Sequence, residues 1–568
     1  MEGSRHFSYV KTMKLIYNIY NKCKARTASL LRSSMGHFTP SLTGRVGVGL
    51  LGLLLCSCSD FLKEYSQDMI VAKLPSDLDE VMLGSGYIPS KAVSNGPHGN
   101  RCGGFFNILD DDVNTGGDRI NPETGKGSTE VTKAWNQCVL GNYGYFAWQQ
   151  DVGTNYDNSL SNDDAATWDE LYAHINVVNT ILDEIQDLPH STDRDLADWL
   201  RVQGEAHFLR AQFYFTLVNL YADEYTAETA AGKPGVPIKL KPGIEFEFSR
   251  SSVAEVYAQI NADLAKAEDF LTRSPQNDDH MLHRASLEAV DLLWSRVALH
   301  QQLWDVAAEK AERVVRSTNF YLAPISSLTP STPFLTAENP EVIFSQGSNS
   351  LCPTELFTGR NGDYCVTREL YDLYAEGDAR RDCFFGVYDE TSAIACDSVF
   401  LRNKYERSNS FRSHISDYYM LRLSEAYLNA AEAYAIMGRD AEANGLLNEL
   451  RSQRIVAYEP QHYSGAELVQ EVRDERRREL CFEGHRWFDL RRYAVCKAYP
   501  YSRNITHSFG VCGDYVGIMY RKVVVLPAGD LNYTFAIPKS VLKYFTDKPF
   551  DTNPRNAIEP LEPEEDEE

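Results

Sequence analysis

The sequence predicts a mostly α-helical protein made of antiparallel helix pairs, and three observations carry that expectation. Apolar residues recur at helical spacing through two long stretches, Trp168 to Ser317 and Tyr418 to Val495. The segments SRVALHQQLWDVAAEKAERVV and AEAYAIMGRDAEANGLLNELR each give a small-residue helix, a tight turn and a second helix rich in alanine. Hydrophobic residues make up 43% of the 568, ample for a core.

The first element in chain order is a leader, residues 1–57. Val46 to Leu55 is apolar but shorter than the roughly 20 residues a membrane span needs. Basic residues precede it (Lys11, Lys14, Lys22, Lys24, Arg26, Arg32 and Arg45), so it reads as a secretory signal peptide. The basic region is long, which leaves Met13 and Met35 as alternative starts. The run Leu55-Cys56-Ser57-Cys58 resembles a bacterial lipobox, with a small residue before the cysteine that becomes the new N-terminus. Cys58 fits this pattern, whereas Cys56 follows the bulky Leu55. The motif implies a diacylglycerol on the Cys58 thiol and a further acyl chain, such as palmitate, on its amine. Each buried methylene adds about 0.8 kcal/mol, so several chains anchor a soluble body firmly.

Residues 60–165 are polar and turn-rich, yet carry many aromatics, which suits a long functional loop. Helices follow. WDELYAHINVVNTILDEI places Leu171, Ile175, Val178 and Leu182 on one stripe. Ser252 and Glu255 are spaced as a capping box ahead of VAEVYAQINADLAKAEDFL. Aligning Ala307 with Ala443 pairs Trp294 with Ala430 and Ala298 with Tyr434, the pattern of tetratricopeptide-like helix pairs. Between the two copies, residues 318 to about 415 read as irregular, and the closing PLEPEEDEE as a solvated, disordered tail.

The formal charge is −24, and the leader holds eight basic side chains against one acid, so the remainder is more acidic still. Such a surface argues against nucleic acid and anionic membranes as partners. Nine cysteines lie beyond Cys58, none at C-x-x-C spacing, so neither a zinc site nor any other metal is expected. Loop-closing disulfides Cys352–Cys365 and Cys383–Cys396 are conceivable in an exported chain.

The charged block from Glu475 to Arg492 invites an enzyme reading, with Glu479, Glu483 and Asp489 as carboxylates and His485 as a base. Yet Glu475, Glu479 and Glu483 stand four residues apart and alternate with arginines, as in an ion-pair network along a helix face. Nothing identifies the opposed carboxyl pair a glycosidase needs. No catalytic residues and no cofactor are expected. DDDVNTGGD lacks a full calcium-loop pattern and reads as a turn.

These segments, in order, resemble the SusD/RagB-like outer-membrane lipoproteins of Bacteroidetes. The matching residues are CSDFL, WDELYAHINVVN, GEAHFLRAQFYFTLVNLYAD, RSSVAEVYAQINADLAKAE, RLSEAYLNAAEAYAIMG, ERRRELCFEGHRWFDLRRY and the closing YTFAIPKSVL. Two departures stand out. The usual N-P-G-Y is Asn553-Pro554-Arg555-Asn556, and the L-Y-G turn is Leu220-Tyr221-Ala222. The resemblance implies a SusD-like fold, with tetratricopeptide-like pairs supporting irregular ligand loops. It divides the chain into an N-terminal part (58–345), an irregular insertion (346–415), a C-terminal part (416–556) and the tail (557–568). It also implies no catalysis, an outer-membrane surface location, an oligosaccharide ligand and a SusC-like TonB-dependent transporter as partner. A peptide ligand, as in the RagB branch, a lipid-anchored glycoside hydrolase, and a scaffold recruiting only protein remain alternatives.

Sugar binding asks for exposed aromatic faces ringed by polar groups. AWNQCVLGNYGYFAWQQDVGTNYDN supplies both. Trp135, Tyr143, Tyr145, Trp148 and Tyr156 are the stacking candidates, with Asn142, Gln149 and Asn155 for polar contacts. Asp110 and Asp111 lie where the family's ligand loops occur, and Arg360 to Tyr364 forms a weaker second candidate. Any of these rings could instead pin the loop to the helical body. On the stacking reading, Trp148→Ala weakens binding and leaves the fold intact.

Overall fold

The computed structural model describes residues 72–89, 102–115, 120–121, 126–127, 141–159, 165–243, 249–275, 281–347, 349, 364–387, 399–406, 415–512, 519–543 and 551–561. Cys58, Trp135, most of the acidic tail and Arg360 to Asp363 lie outside them. So do Cys352 and Cys396, the expected partners of Cys365 and Cys383; the Cys383 thiol is buried against the Asn403 carbonyl.

Nine helices of nine or more residues are described: α1 (Ala166–Glu184), α2 (Asp193–Tyr221), α3 (Val253–Arg273), α4 (Leu287–His300), α5 (Trp304–Val315), α6 (Leu423–Ile436), α7 (Asp440–Ser452), α8 (Gly465–Leu480) and α9 (Arg486–Ala494). The α1 stripe of Leu171, Ile175 and Val178 is fully buried against α2, while Leu182 sits at its edge. At the N-terminus of α2, the Thr192 hydroxyl accepts the Asp195 N–H at 3.1 Å. From Val202 onward α2 is buried all round, because α1, α3 and the loops enclose it. Its polar residues are therefore paired: Arg210 donates to Asp263 of α3 at 2.7 and 2.9 Å, and His207 Nδ1 meets the same carboxylate at 2.7 Å. The capping box at Ser252 and Glu255 forms as expected.

The pairs α4–α5 and α6–α7 are the two repeat copies, and α6 packs against α5. Their tight turns correspond residue for residue. Gln302 in one and Gly438 in the other both take left-handed backbone, with φ +58° and +73°. Glycine does this freely; Gln302 is held there by its side chain, which donates to the Val495 carbonyl and accepts from the Lys497 N–H. Ser295 bonds the Ala307 carbonyl at 2.8 Å, and Asn429 of α6 donates to Ser295, so small polar groups knit the alanine-lined contact.

In the stretch expected to be irregular, the described residues hold short strands. A four-stranded antiparallel sheet runs β1-β3-β5-β4, from β1 (Val113–Thr115), β3 (Tyr364–Val366), β4 (Phe385–Val387) and β5 (Val399–Leu401). A second ladder joins β2 (Val342–Ser345) to β6 (Met420–Arg422), just before α6. A third, absent from the expectation, is the hairpin of β7 (Ile505–Cys512) and β8 (Met519–Leu526), in register from Ile505↔Leu526 to Cys512↔Met519. No helix among the described residues is long and apolar enough to cross a membrane.

Candidate ligand-binding site

The aromatic loop folds as one short helical turn, Tyr143–Phe146, after which the chain reverses at Trp148 with φ +47°. Trp148 is only 1% exposed. Its Nε1 donates to the Leu109 carbonyl at 2.9 Å, and its ring lies 4.3 Å from the buried His507 of β7. This corrects the expectation of a stacking platform: Trp148 pins the loop to the hairpin and offers no face to a ligand. Tyr145, also buried, stacks on Phe105 at 4.1 Å. Tyr143 is buried edge-on against Tyr156 and Phe509, at 5.1 and 5.5 Å. Both rings are therefore packing elements as well.

Among the expected stacking residues that are described, Tyr156 alone keeps part of its ring in solvent, braced by Tyr143 and Phe509. Asn155 lies beside it and closes a tight turn, its N–H reaching the Ser159 carbonyl and its amide the Ser159 hydroxyl. The Asn142 carbonyl accepts the Tyr145 and Phe146 N–H groups, so this residue organises the turn. Gln149 donates to the Ile558 carbonyl, and Arg555 donates to the carbonyls of Trp148, Gln149, Asn532 and Thr534. The 551–561 segment thus straps the aromatic loop from outside, and the unusual arginine of the closing motif makes the strap.

Asp111 too is buried, and its carboxylate is occupied by arginines. Its two oxygens accept Arg486 Nε and Nη2 at 2.7 and 2.8 Å, with Arg503 at 2.9 Å and Arg477 at 3.3 Å. Burial alone would raise this carboxyl, but the three guanidinium groups hold it well below the usual range. Its neighbour Asp110 is pushed well above that range by burial and then by the charges of Asp112 and Asp111. Asp110, Asp111 and Asp112 offer oxygens within 4.8 Å of one another. Arginines already serve Asp111 and Asp112, and burial beside two other carboxyls disfavours the charged form of Asp110, so the cluster is poorly suited to a cation.

The charged block is a network, but not one along a solvent-facing helix. Glu479 is fully buried and accepts Arg380, Arg422 and Arg454, from three other segments, at 2.7 to 2.9 Å. Glu475 takes Arg380 and Arg451, and Glu483 takes Arg422 and Lys404. Of the expected pairs within α8, Glu475–Arg478 forms. Burial would raise Glu479, yet its arginines hold it well below the usual range, so it stays ionised and is a poor general acid. His485 is kept neutral by burial and then by Arg296 and Arg476, and its Nδ1 accepts from Arg476 at 3.2 Å. The block ties α8 to α6, α7 and β6.

These depressed carboxylates make stability fall in acid. For Asp263, burial opposes but His207 and Arg210 lower the pKa from 3.8 to about 2. A group depressed in the folded state stabilises above its ordinary pKa and loses that contribution as pH drops. Asp263 alone accounts for about 2 kcal/mol, lost between about pH 4 and 2. The expected result is a urea midpoint that falls steadily below pH 4.5; a midpoint constant from pH 6 to pH 3 would contradict it.

A family model described as starch-binding, associating with outer membrane, matches residues 113–299, and the SusD family model matches 396–523. Together they span more than half of the chain. SusD-like protein P25 of Formosa agariphila is 22% identical over 503 residues, covering 77% of this chain and 87% of that protein. SusD-like protein P38 of the same organism is 24% identical over 401 residues, covering 60% and 74%. A SusD superfamily protein from Bacteroides thetaiotaomicron superposes with a TM-score of 0.62 at 21% identity, covering 85% of this chain and all of that one. A putative sugar binding protein from Bacteroides vulgatus gives 0.60 at 21%, covering 86% and 99%. With the helix pairs and the two family matches falling in the order read from the sequence, the chain belongs to the SusD/RagB-like family.

Proposed function

We propose that this protein is a surface lipoprotein, anchored through Cys58, that captures an oligosaccharide and passes it to a SusC-like TonB-dependent transporter. Family membership supports carbohydrate binding and nutrient uptake, and two solved neighbours carry sugar or carbohydrate binding in their descriptions. The observation in the site that carries the reading is Tyr156. Its ring is braced by Tyr143 and Phe509 yet only partly buried, and its neighbours in the chain, Asn155, Asp157 and Asn158, are polar and half-buried or exposed. That is the arrangement a pyranose face needs. The role is binding rather than hydrolysis, because the carboxylates of the charged block are committed to arginines.

A glycan array on the purified protein tests this, followed by titration of the best hit. Tyr156→Ala should weaken binding about three- to tenfold, the worth of one aromatic contact, while the protein stays folded with a modestly lower melting temperature from the lost contacts to Tyr143 and Phe509. Binding to oligopeptides with no glycan bound would shift the protein to the peptide branch. New reducing ends released from a polysaccharide would replace the reading with a hydrolase.

A further inference from the structure

The segment that carries Tyr156 leaves the helical turn Tyr143–Phe146, reverses at Trp148 and comes back to lie on that same turn. The contact is made at the buried Gly144. A Cβ built there would stand 2.2 Å from the Val152 carbonyl oxygen, 2.5 Å from the carbonyl carbon and 2.6 Å from the Val152 Cα. Non-bonded carbons keep about 3.5–4.0 Å between them, so any side chain at 144 would drive the Val152 backbone back by about 1 Å or more. Gly144 lies within the helical turn and outside the left-handed region, so space rather than conformation selects glycine here.

The residues after Val152 are bound into two linked turns. The Asp151 carboxylate accepts the Gly153 N–H at 3.1 Å, and the Asp151 carbonyl accepts the Thr154 N–H at 3.1 Å. Lys539 pairs with the other oxygen of that carboxylate. The Asn155 N–H then reaches the Ser159 carbonyl at 2.9 Å, which closes the turn around Tyr156. A displacement of Val152 is therefore passed on to Tyr156 rather than absorbed. The Tyr156 ring stands 5.1 Å from Tyr143 and 5.6 Å from Phe509. Tyr143 directly precedes Gly144, so one helical turn supplies both the seat and a wall.

We infer that Gly144 is a positioning residue for the saccharide site: by letting Val152 rest directly on the helical turn, it sets where the Tyr156 ring stands. This rests on the proposed role of Tyr156, because the ring's position matters to binding only where the ring meets the saccharide. A binding constellation works when held within about 0.5 Å of its productive geometry, and the shift that a methyl group at 144 forces is larger.

Crystal structures of wild type, Gly144→Ala and Gly141→Ala test this, together with titration of the oligosaccharide that binds wild type most tightly on the glycan array. Gly141 is the control, since nothing lies within 4 Å of a Cβ placed there. In Gly144→Ala the Tyr156 ring should move by about 1 Å or more relative to Phe509. Affinity, measured well below the melting temperature, should fall about threefold or more, towards the loss in Tyr156→Ala. Gly141→Ala should match wild type in both. A purely structural glycine would lower the melting temperature and leave ring and affinity alone. An unmoved ring in Gly144→Ala, a moved ring with unchanged affinity, or a like shift in Gly141→Ala would overturn the inference. If Gly144→Ala does not fold, Asp151→Ala decides in its place. That half-buried residue gives up the Gly153 bond and the Lys539 pair, which frees the turn to lift, and an unmoved ring there overturns the inference. If wild type binds no saccharide, the proposed function fails, while the crystallographic comparison still decides what Gly144 positions.

Discussion

Replacing Glu479 with alanine is expected to destabilise the protein by about 3–5 kcal/mol, and more if the protein does not relax around the gap. The reason is the company it keeps. Arg380, Arg422 and Arg454 share its carboxylate, and all four side chains are buried. Removing the acid leaves three cations in a low-dielectric interior with too few partners. Glu341, Asp378, Glu475 and Glu483 remain, but each already serves at least one of these arginines, and Glu341 serves two. Urea unfolding measures the loss. Glu471→Ala is the control: that carboxylate is partly solvated and, among the described residues, pairs with Arg451, so its removal should cost no more than about 1 kcal/mol. Equal losses in the two variants would mean that the buried node is not what holds α8 in place.

Trp148→Ala should have an effect of similar size, about 3–5 kcal/mol, the range for emptying a buried indole site. This reverses the reading drawn from the sequence, in which the substitution spares the fold. The ring fills the space against His507, and the Nε1 bond to Leu109 ties two loops together. Trp148→Phe separates the contributions: it keeps most of the ring and loses the hydrogen bond, for about 1 kcal/mol beyond the packing change. Stability of Trp148→Ala equal to wild type, with weakened glycan binding, would restore the stacking role.

Much of the architecture could be read before any coordinates. Helical periodicity, the Ser252–Glu255 cap and the alanine-rich repeat are local signals, and local signals survive in a single chain. The sheet was hidden because β1, β3, β4 and β5 are three residues each, too short for alternation to show. The β7–β8 hairpin was within reach: MYRKVVVL is rich in β-branched residues, the mark of a strand. The aromatic loop is the instructive failure. A row of rings looks the same whether it faces solvent or core. What decides is His507, Phe509, Phe535 and Arg555, all more than 300 residues away. The charged block was legible in kind, an ion-pair network, but not in its partners. Four-residue spacing suggested partners on one helix, while Arg380, Arg422 and Arg454 come from elsewhere in the chain.

The strap at Arg555 has a bearing on how the molecule matures. Its guanidinium is buried with only carbonyl acceptors and the Phe535 ring around it, and burial pulls its pKa down to about 10. The loop that carries Tyr156 is thus held by a segment 407 residues further along the chain. Its ordering depends on a long-range closure that helix pairs built from sequence neighbours do not need.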